Sequence, residues 1–348
     1  MDILKELINI NTVNDLENKK IRNFIKNILS PLNFEFEEVG EGDKKVLIAK
    51  RGNSNIGFVC HTDTVDASMW TYNPFELTVK NDILYGLGVS DMKGGIAALL
   101  NALIELDKDI PCNCYFTFDE EINFEGIKKL VSSKDDFPNT LVFPEPTDNI
   151  PAIANKGCLE FKISFQGVSA HSSTPFLGSN AILKAMNYVY ELQTFAKSLE
   201  NETDNLYEVE YTTFNLAKIN GGNALNKVPD YSEIFFDFRT ISIKQESEII
   251  DEVEKLTKKY NAKLEILNNV SCAKSDSNEF EKVIEGICNK KCHGLNYVTE
   301  ASFFKDKNIL ILGPGPITAH QKDEHISKSS FYETIGLYKK IINALSKK

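Results

Sequence analysis

Apolar and polar positions follow two different rhythms along this chain. In the first part, helical spacing alternates with short apolar runs. Helix-type periodicity covers Asn18 to Leu32, and strand-type runs cover Phe34 to Val39, Lys45 to Ala49 and Ile56 to Cys60. A helical stretch follows at Ile96 to Leu106, then a buried strand at Cys114 to Phe118, a further helical stretch, and a strand at Thr140 to Phe143. This alternation predicts an α/β sheet with parallel strands at its centre. Sites in such sheets form outside the carboxyl ends of the strands. Met1 to Ile10 carries acid and base within its apolar pattern, so it reads as an amphipathic helix and not as a signal peptide.

The second rhythm begins at Gly157. Cys158 to Phe165 alternates as a half-exposed strand, Asn180 to Leu199 is helical, and Tyr211 to Ile219 and Tyr231 to Phe238 are strands about a Gly221-Gly222 turn. Glu246 to Tyr260 is helical and Ala262 to Leu267 is a strand. The order βαββαβ is that of a ferredoxin-like motif, so an inserted domain is expected at 158–274, within a first domain made of 1–157 and 275–348. A last helix is predicted over Lys328 to Leu345, and the polar run Ser198 to Asn205 reads as a loop.

At 348 residues the chain exceeds the usual size of a single core. A hydrophobic content of 42% and a charged content of 26% are ordinary for a globular protein. The formal net charge of −11 argues against nucleic acid or an anionic membrane surface as the main partner, because both would repel it. No run approaches the length of a membrane span, and seven cysteines without framework spacing fit a reducing compartment, so a cytoplasmic location is expected. Cys288, Cys292 and His293, and the pair Cys112 and Cys114, read as structural.

The chemistry lies at the ends of the apolar runs. His61-Thr-Asp63 follows Ile56 to Cys60, and residues two apart on an extended chain share a face, so Asp63 can orient an imidazole that binds metal. Asp91 lies in the glycine-rich turn Tyr85 to Gly95, Asp119-Glu120-Glu121 follows Cys114 to Phe118, Glu145 follows Thr140 to Phe143, and His320 follows Asn308 to Leu312. Two histidines and three carboxylates form the N/O set that zinc takes, and an odd number of carboxylates lets one bridge two ions. Neighbours in an extended segment face opposite ways, so one of Glu120 and Glu121 can bind metal while the other serves as general base.

With those segments, HTDTV, SDMKGG, DEE, EPT and AHQKDE, the chain resembles the aminoacylase-type dinuclear zinc peptidase and deacylase family over nearly its whole length. The resemblance implies a zinc-peptidase-like α/β/α catalytic domain with an inserted ferredoxin-like lid and dimerisation domain. It implies that His61 and Glu145 bind one zinc, Glu121 and His320 the other, and that Asp91 bridges them. Asp63 would clamp His61, Glu120 would be the base, and the peptide after Asp91 would be cis. In the inserted domain, the segment Gly167 to Pro175 resembles the one whose histidine, here His171, polarises the scissile carbonyl, in dimeric members at the neighbouring subunit's site. Asn226 and Arg239 fall in segments resembling those that hold the substrate's carboxylate end.

Phe214 to Gly222, Thr299-Glu300-Ala301 and the segment around His320 look most like the acetylornithine deacetylase branch, although Leu87, Pro144 and Glu125 depart from the usual pattern. The expectation is therefore a cytoplasmic, homodimeric hydrolase of linear amide bonds with two zinc ions, for which cobalt or manganese can substitute. Its substrates would be N-acyl amino acids, N-acetylornithine first, with a place in arginine biosynthesis. The rivals are a desuccinylase or a dipeptidase or carboxypeptidase with the same metal site. A non-catalytic, metal-stabilised binding protein is the rival of another class, and a retained Glu120 speaks against it.

Overall fold

Mostly apolar segments pair side by side in the middle of the first sheet. The structure, a computed structural model, describes every residue except Met69, Lys134, Asp135 and Lys348. Its strands are β1 (Glu35–Glu41), β2 (Lys44–Arg51), β3 (Ile56–His61), β4 (Thr78–Lys80), β5 (Ile83–Tyr85), β6 (Cys112–Thr117), β7 (Thr140–Phe143), β8 (Ala152–Asn155), β9 (Gly157–Gln166), β10 (Thr213–Gly221), β11 (Tyr231–Thr240), β12 (Lys263–Val270), β13 (Ala273–Lys274), β14 (His293–Leu295), β15 (Asn308–Ile311) and β16 (His325–Ser327). The helices are α1 (Asp2–Asn9), α2 (Asn18–Leu29), α3 (Lys93–Glu105), α4 (Glu125–Ser132), α5 (Ala181–Leu199), α6 (Ile243–Lys259), α7 (Asn278–Cys288) and α8 (Lys328–Leu345). Among the described residues no helix is long and apolar enough to cross a membrane.

The chain divides into two compact units, Met1–Ala154 with Lys274–His293 and Phe303–Lys348, and Asn155–Ala273 with Gly294–Ser302. Gly294–Ser302, which the sequence reading assigns to the first domain, groups with the second unit. Two backbone bonds hold it in the second unit, Lys156 N–H to Leu295 O and Gly294 N–H to Leu206 O.

In the first unit the strands run β1-β2-β6-β3-β7-β15-β8. The inner four, β6, β3, β7 and β15, are parallel, and all residues of β3, β6 and β7 are buried. Such double-sided burial is what continuous apolar runs achieve when both faces are covered. α3 is apolar on nearly all sides and buried accordingly. Its Gly95 has no alternative, because a Cβ there would lie 2.2 Å from Pro144 O, and this close approach brings the helix against the segment that carries Glu145.

Register fixes which residues emerge together at the carboxyl rim. Phe58 is paired with Val142, so His61 and Glu145 each stand three residues past a common level, and His61 is level with Thr117. The sequence pattern did not reveal the small sheet β16-β5-β4, whose strands have three residues each.

The second unit holds the βαββαβ order expected, with sheet order β10-β11-β9-β12, all antiparallel. The inward residues of β9 and β11, among them Phe161, Phe165, Phe236 and Phe238, pack on Tyr188 and Leu192 of α5 and Ile249 and Val253 of α6. The β10–β11 connection is longer than a Gly221-Gly222 turn, running from residue 222 to 230.

Candidate metal centre and active site

Five side chains named from the sequence converge at the rim of the first unit. His61 Nε2 lies 2.9 Å from Asp91 Oδ1 and 3.7 Å from Glu145 Oε1. His320 Nε2 lies 2.9 Å from Glu121 Oε2 and 3.6 Å from Asp91 Oδ2. Asp91 thus turns one oxygen to each histidine. Donor atoms of His61, Asp91 and Glu145, of Asp91, Glu121 and His320, and of His61, Glu120 and Glu121 lie within 4.8 Å of one another in each set. The peptide between Asp91 and Met92 is cis.

Two details of local geometry differ from the sequence reading. The His61 Nδ1 hydrogen-bonding neighbour is the main-chain oxygen of Asp63, at 3.2 Å, while the Asp63 carboxylate Oδ1 stands 3.6 Å away. The other carboxylate oxygen, Oδ2, accepts the Glu121 N–H at 3.2 Å and so ties the histidine segment to the acidic turn. Glu120 and Glu121 lie in a turn and not in an extended segment, because Asn123 and Phe124 N–H both return to Asp119 O. Their side chains diverge by turn geometry.

The protein's own charges are poised for a cation. Burial opposes charge on His61, yet the Glu145 charge and the contacts with Asp63 and Asp91 outweigh it and raise its pKa well above the ordinary value. The hydrogen bond to Glu121 brings His320 up to about 9. Glu145 is pushed up to about 7 by burial and by Asp91, and Glu120 well above the ordinary carboxylate range by burial and by Glu145, Glu121 and Asp91 against the pull of His61. Four carboxyls and two imidazoles so close together repel or share protons until divalent charge replaces those protons. Glu121 Oε1 and Asp63 Oδ1 are buried with no hydrogen-bond partner among the described residues, and such orphaned oxygens fit a metal site. The N/O donor set suits zinc.

In the second unit, His171 Nδ1 lies 2.7 Å from Ser173 Oγ and accepts the Ser173 N–H. Its segment runs beside that of Asn226, with Ser172 N–H donating to Asn226 O. Arg239 is engaged elsewhere: its Nε lies 3.2 Å from Asp237 Oδ1 and its guanidinium 4.0 Å from Glu160.

Sequence reasoning passed over two buried acids. Glu324 accepts three backbone N–H groups of the Asp91 turn. Asp15 accepts the N–H of Asp119, at the head of the acidic turn. Acids that bond main chain leave no periodic trace; the one signal was the four-residue spacing from His320 to Glu324.

Residues 57–344 match peptidase family M20/M25/M40. The acetylornithine deacetylase of Buchnera aphidicola subsp. Acyrthosiphon pisum (strain 5A) is 31% identical over 369 residues, covering 99% of this chain and 97% of the relative. That of Aliivibrio salmonicida (strain LFI1238) is 33% identical over 328 residues, covering 88% and 86%. Among solved structures, a tripeptidase from Staphylococcus aureus superposes with a TM-score of 0.80 at 20% identity, covering 99% and 97%. A dinuclear metal-binding peptidase of the M20 family from Bacillus subtilis superposes at 0.72 and 12% identity, covering 99% and 97%. These structures share the fold. The chain belongs to peptidase family M20/M25/M40 and is a metal-dependent hydrolase.

Proposed function

We propose that this hydrolase removes the acyl group from an N-acyl amino acid, with N-acetylornithine as its substrate and arginine biosynthesis as its setting. The observation that carries the reading is Glu120, a carboxyl beside two sets of ligand-type residues, in a chain 31% identical to an acetylornithine deacetylase over nearly its full length. His61, Asp91 and Glu145 would hold one zinc, and Asp91, Glu121 and His320 a second, with cobalt or manganese as substitutes. When bound, the ions supply positive charge that polarises an amide carbonyl and readies water for attack near neutral pH.

The chain's own residues do the rest. Glu120 takes a proton from the attacking water and delivers it to the leaving nitrogen, a two-way transfer that suits a carboxyl whose surroundings favour the protonated form. Asp63 holds the His61 ring through its main-chain oxygen and restrains Glu121 through its carboxylate. His171 would donate to the developing oxyanion, and Asn226 and Arg239 would receive the carboxylate end of the substrate. The products are an amino acid and a carboxylate. A peptidase reading is favoured by the tripeptidase likeness, which covers 99% of this chain. Hydrolysis of a panel of N-acyl amino acids, succinylated amino acids and di- and tripeptides by zinc-loaded protein separates the readings. Preference for peptides with a free α-ammonium would displace the deacylase assignment.

The second unit is proposed as a lid and dimerisation domain. Leu183, Met186 and Tyr190 on α5 are exposed at helical spacing, a stripe suited to a second copy of the chain. An odd number of cysteines, seven, without framework spacing supports a reducing compartment and hence the cytoplasm. If His171 serves the partner's site, mixing an inactive Glu120→Gln chain with an inactive His171→Ala chain restores one working site per mixed dimer. Absence of recovery, with subunit exchange confirmed, would refute action across the dimer.

A further inference from the structure

We infer that Glu324 is a positioning residue that presets the shared ligand Asp91 and locks its turn to the loop carrying His320, an inference resting on the assignment of the two ligand sets above. Glu324 is 2% exposed. One carboxylate oxygen accepts the N–H groups of Ser90 at 2.6 Å and Asp91 at 2.8 Å, and the other accepts that of Gly88 at 2.8 Å. Its main-chain oxygen accepts the Gly86 N–H. The turn thus offers a concave set of backbone donors, and Gly88, with φ +78°, takes the left-handed conformation there.

The requirement is for a carboxylate in particular. Three N–H groups converge on two oxygens, so the side chain must accept at both and donate at neither; an amide would turn its own N–H groups against one set. Left without an acceptor, each buried N–H would carry a desolvation penalty. The small sheet explains how the acid arrives. His325 of β16 pairs with Tyr85 of β5, which sets Glu324 beside the residues that follow Tyr85. Two lighter contacts reinforce the same junction, from Thr318 N–H to Ser90 Oγ and between Thr318 Oγ1 and the main chain of His325.

The Asp91 carboxylate reaches both histidines from a single backbone position. Rotation of its turn misplaces a donor for both ions, but only the His320 set also depends on the loop that Glu324 anchors. Loss of the Glu324 contacts therefore falls hardest on the second ion.

The test is calorimetric titration of metal-stripped protein with zinc, wild type against Glu324→Gln. Wild type should bind two ions. The variant should keep the tighter one within a few-fold and lose about ten- to a hundredfold on the weaker one, the range typical of residues that support ligands. Excess zinc should restore kcat with KM unchanged, and Glu324→Asp, which retains both acceptor oxygens, should recover part of the affinity. Unchanged binding of both ions in Glu324→Gln overturns the proposal. So does parallel weakening of both ions with a lower unfolding temperature of the metal-free protein, or failure of both variants to fold with zinc present. A wild type that binds one ion removes the premise and overturns it too. If wild type binds two ions yet hydrolyses no N-acyl amino acid, the substrate reading fails and this one stands.

Discussion

The two halves of the proposed metal centre share Asp91 and differ in how the fold presents them. The half with His61 and Glu145 grows directly from the ends of neighbouring parallel strands, whose register sets both residues at one level. His61 has a side-chain exposure of 1%, and Glu145 6%. The half with Glu121 and His320 is built on connections, a turn after β6 and a loop after β15 in which His320 takes a φ of +60°. The side chain of His320 is 56% exposed. The sheet presents the first pair closely, because His61 is the last residue of β3 and Glu145 follows β7 by two residues. The second pair keeps its geometry only as well as its loops are tied down. A strand-end half and a loop half should therefore bind, exchange and fail differently.

Glu120 stands between the halves, and its loss should have the largest effect. Glu120→Gln keeps the size of the side chain and removes the proton acceptor, so turnover should fall by about 10² to 10⁴-fold while both ions remain bound. Steady-state kinetics with metal analysis checks this. Activity within a few-fold of wild type would exclude it as the base, and loss of metal would mean that Glu120 and Glu121 exchange roles.

Next comes the order of metal loss. Under a limiting chelator the ion at Asp91, Glu121 and His320 should leave first, since Glu121 and His320 are loop-borne and His320 is exposed. His320→Ala should lose that ion alone, whereas His61→Ala should disturb both by freeing Asp91 Oδ1 from its closest partner. The affinity loss should exceed the roughly 10- to 100-fold typical of removing a supporting residue. Equal retention of both ions by the two variants would erase the distinction between the halves.

The same distinction governs what the sequence revealed. Strand-end residues were legible because a continuous apolar run that ends in His or Glu is visible without any alignment, and parallel pairing needs only the βα alternation to be inferred. The ferredoxin-like order of the second unit was legible for a similar reason: Phe161, Ile163 and Phe165 alternate with polar neighbours, and Phe236 and Phe238 flank Asp237. The strands β4, β5 and β16 were not, since three residues give no period to read. Glu324 and Asp15 were missed because their partners are backbone N–H groups, which carry no residue identity. Arg239 lies against Asp237, two positions along its own strand, and strand periodicity alone gives no reason to choose between that ion pair and a substrate contact. Asp63 was read as a clamp through its carboxylate, which stands 3.6 Å from the His61 ring, and its main-chain oxygen at 3.2 Å, which no pattern announces, adds a second contact.

The smallest effect concerns the support beneath the loop half. Asp15 is 5% exposed, and it accepts the Asp119 N–H at the head of the acidic turn with Oδ1, while Oδ2 lies 3.1 Å from the Lys44 ammonium. Burial, with the charge of Asp63 added, raises its pKa from 3.8 to about 6 against the pull of Lys44 and the Asp119 N–H. The folded chain then holds this proton more tightly than the unfolded chain does. The contribution to stability is fully present below about pH 3.8 and is lost as pH rises through about 6. Asp15→Asn should abolish that slope, changing the difference in stability between pH 4 and pH 7 by roughly 1 to 3 kcal/mol. Denaturant unfolding of both proteins across this range measures it, and identical slopes would remove Asp15 as the titrating group. Because Asp15 steadies the turn that bears Glu121 and touches neither His61 nor Glu145, the variant should weaken the second ion by a few-fold and leave the first unchanged. Equal weakening of the two would mean that the strand-end half also relies on its loops.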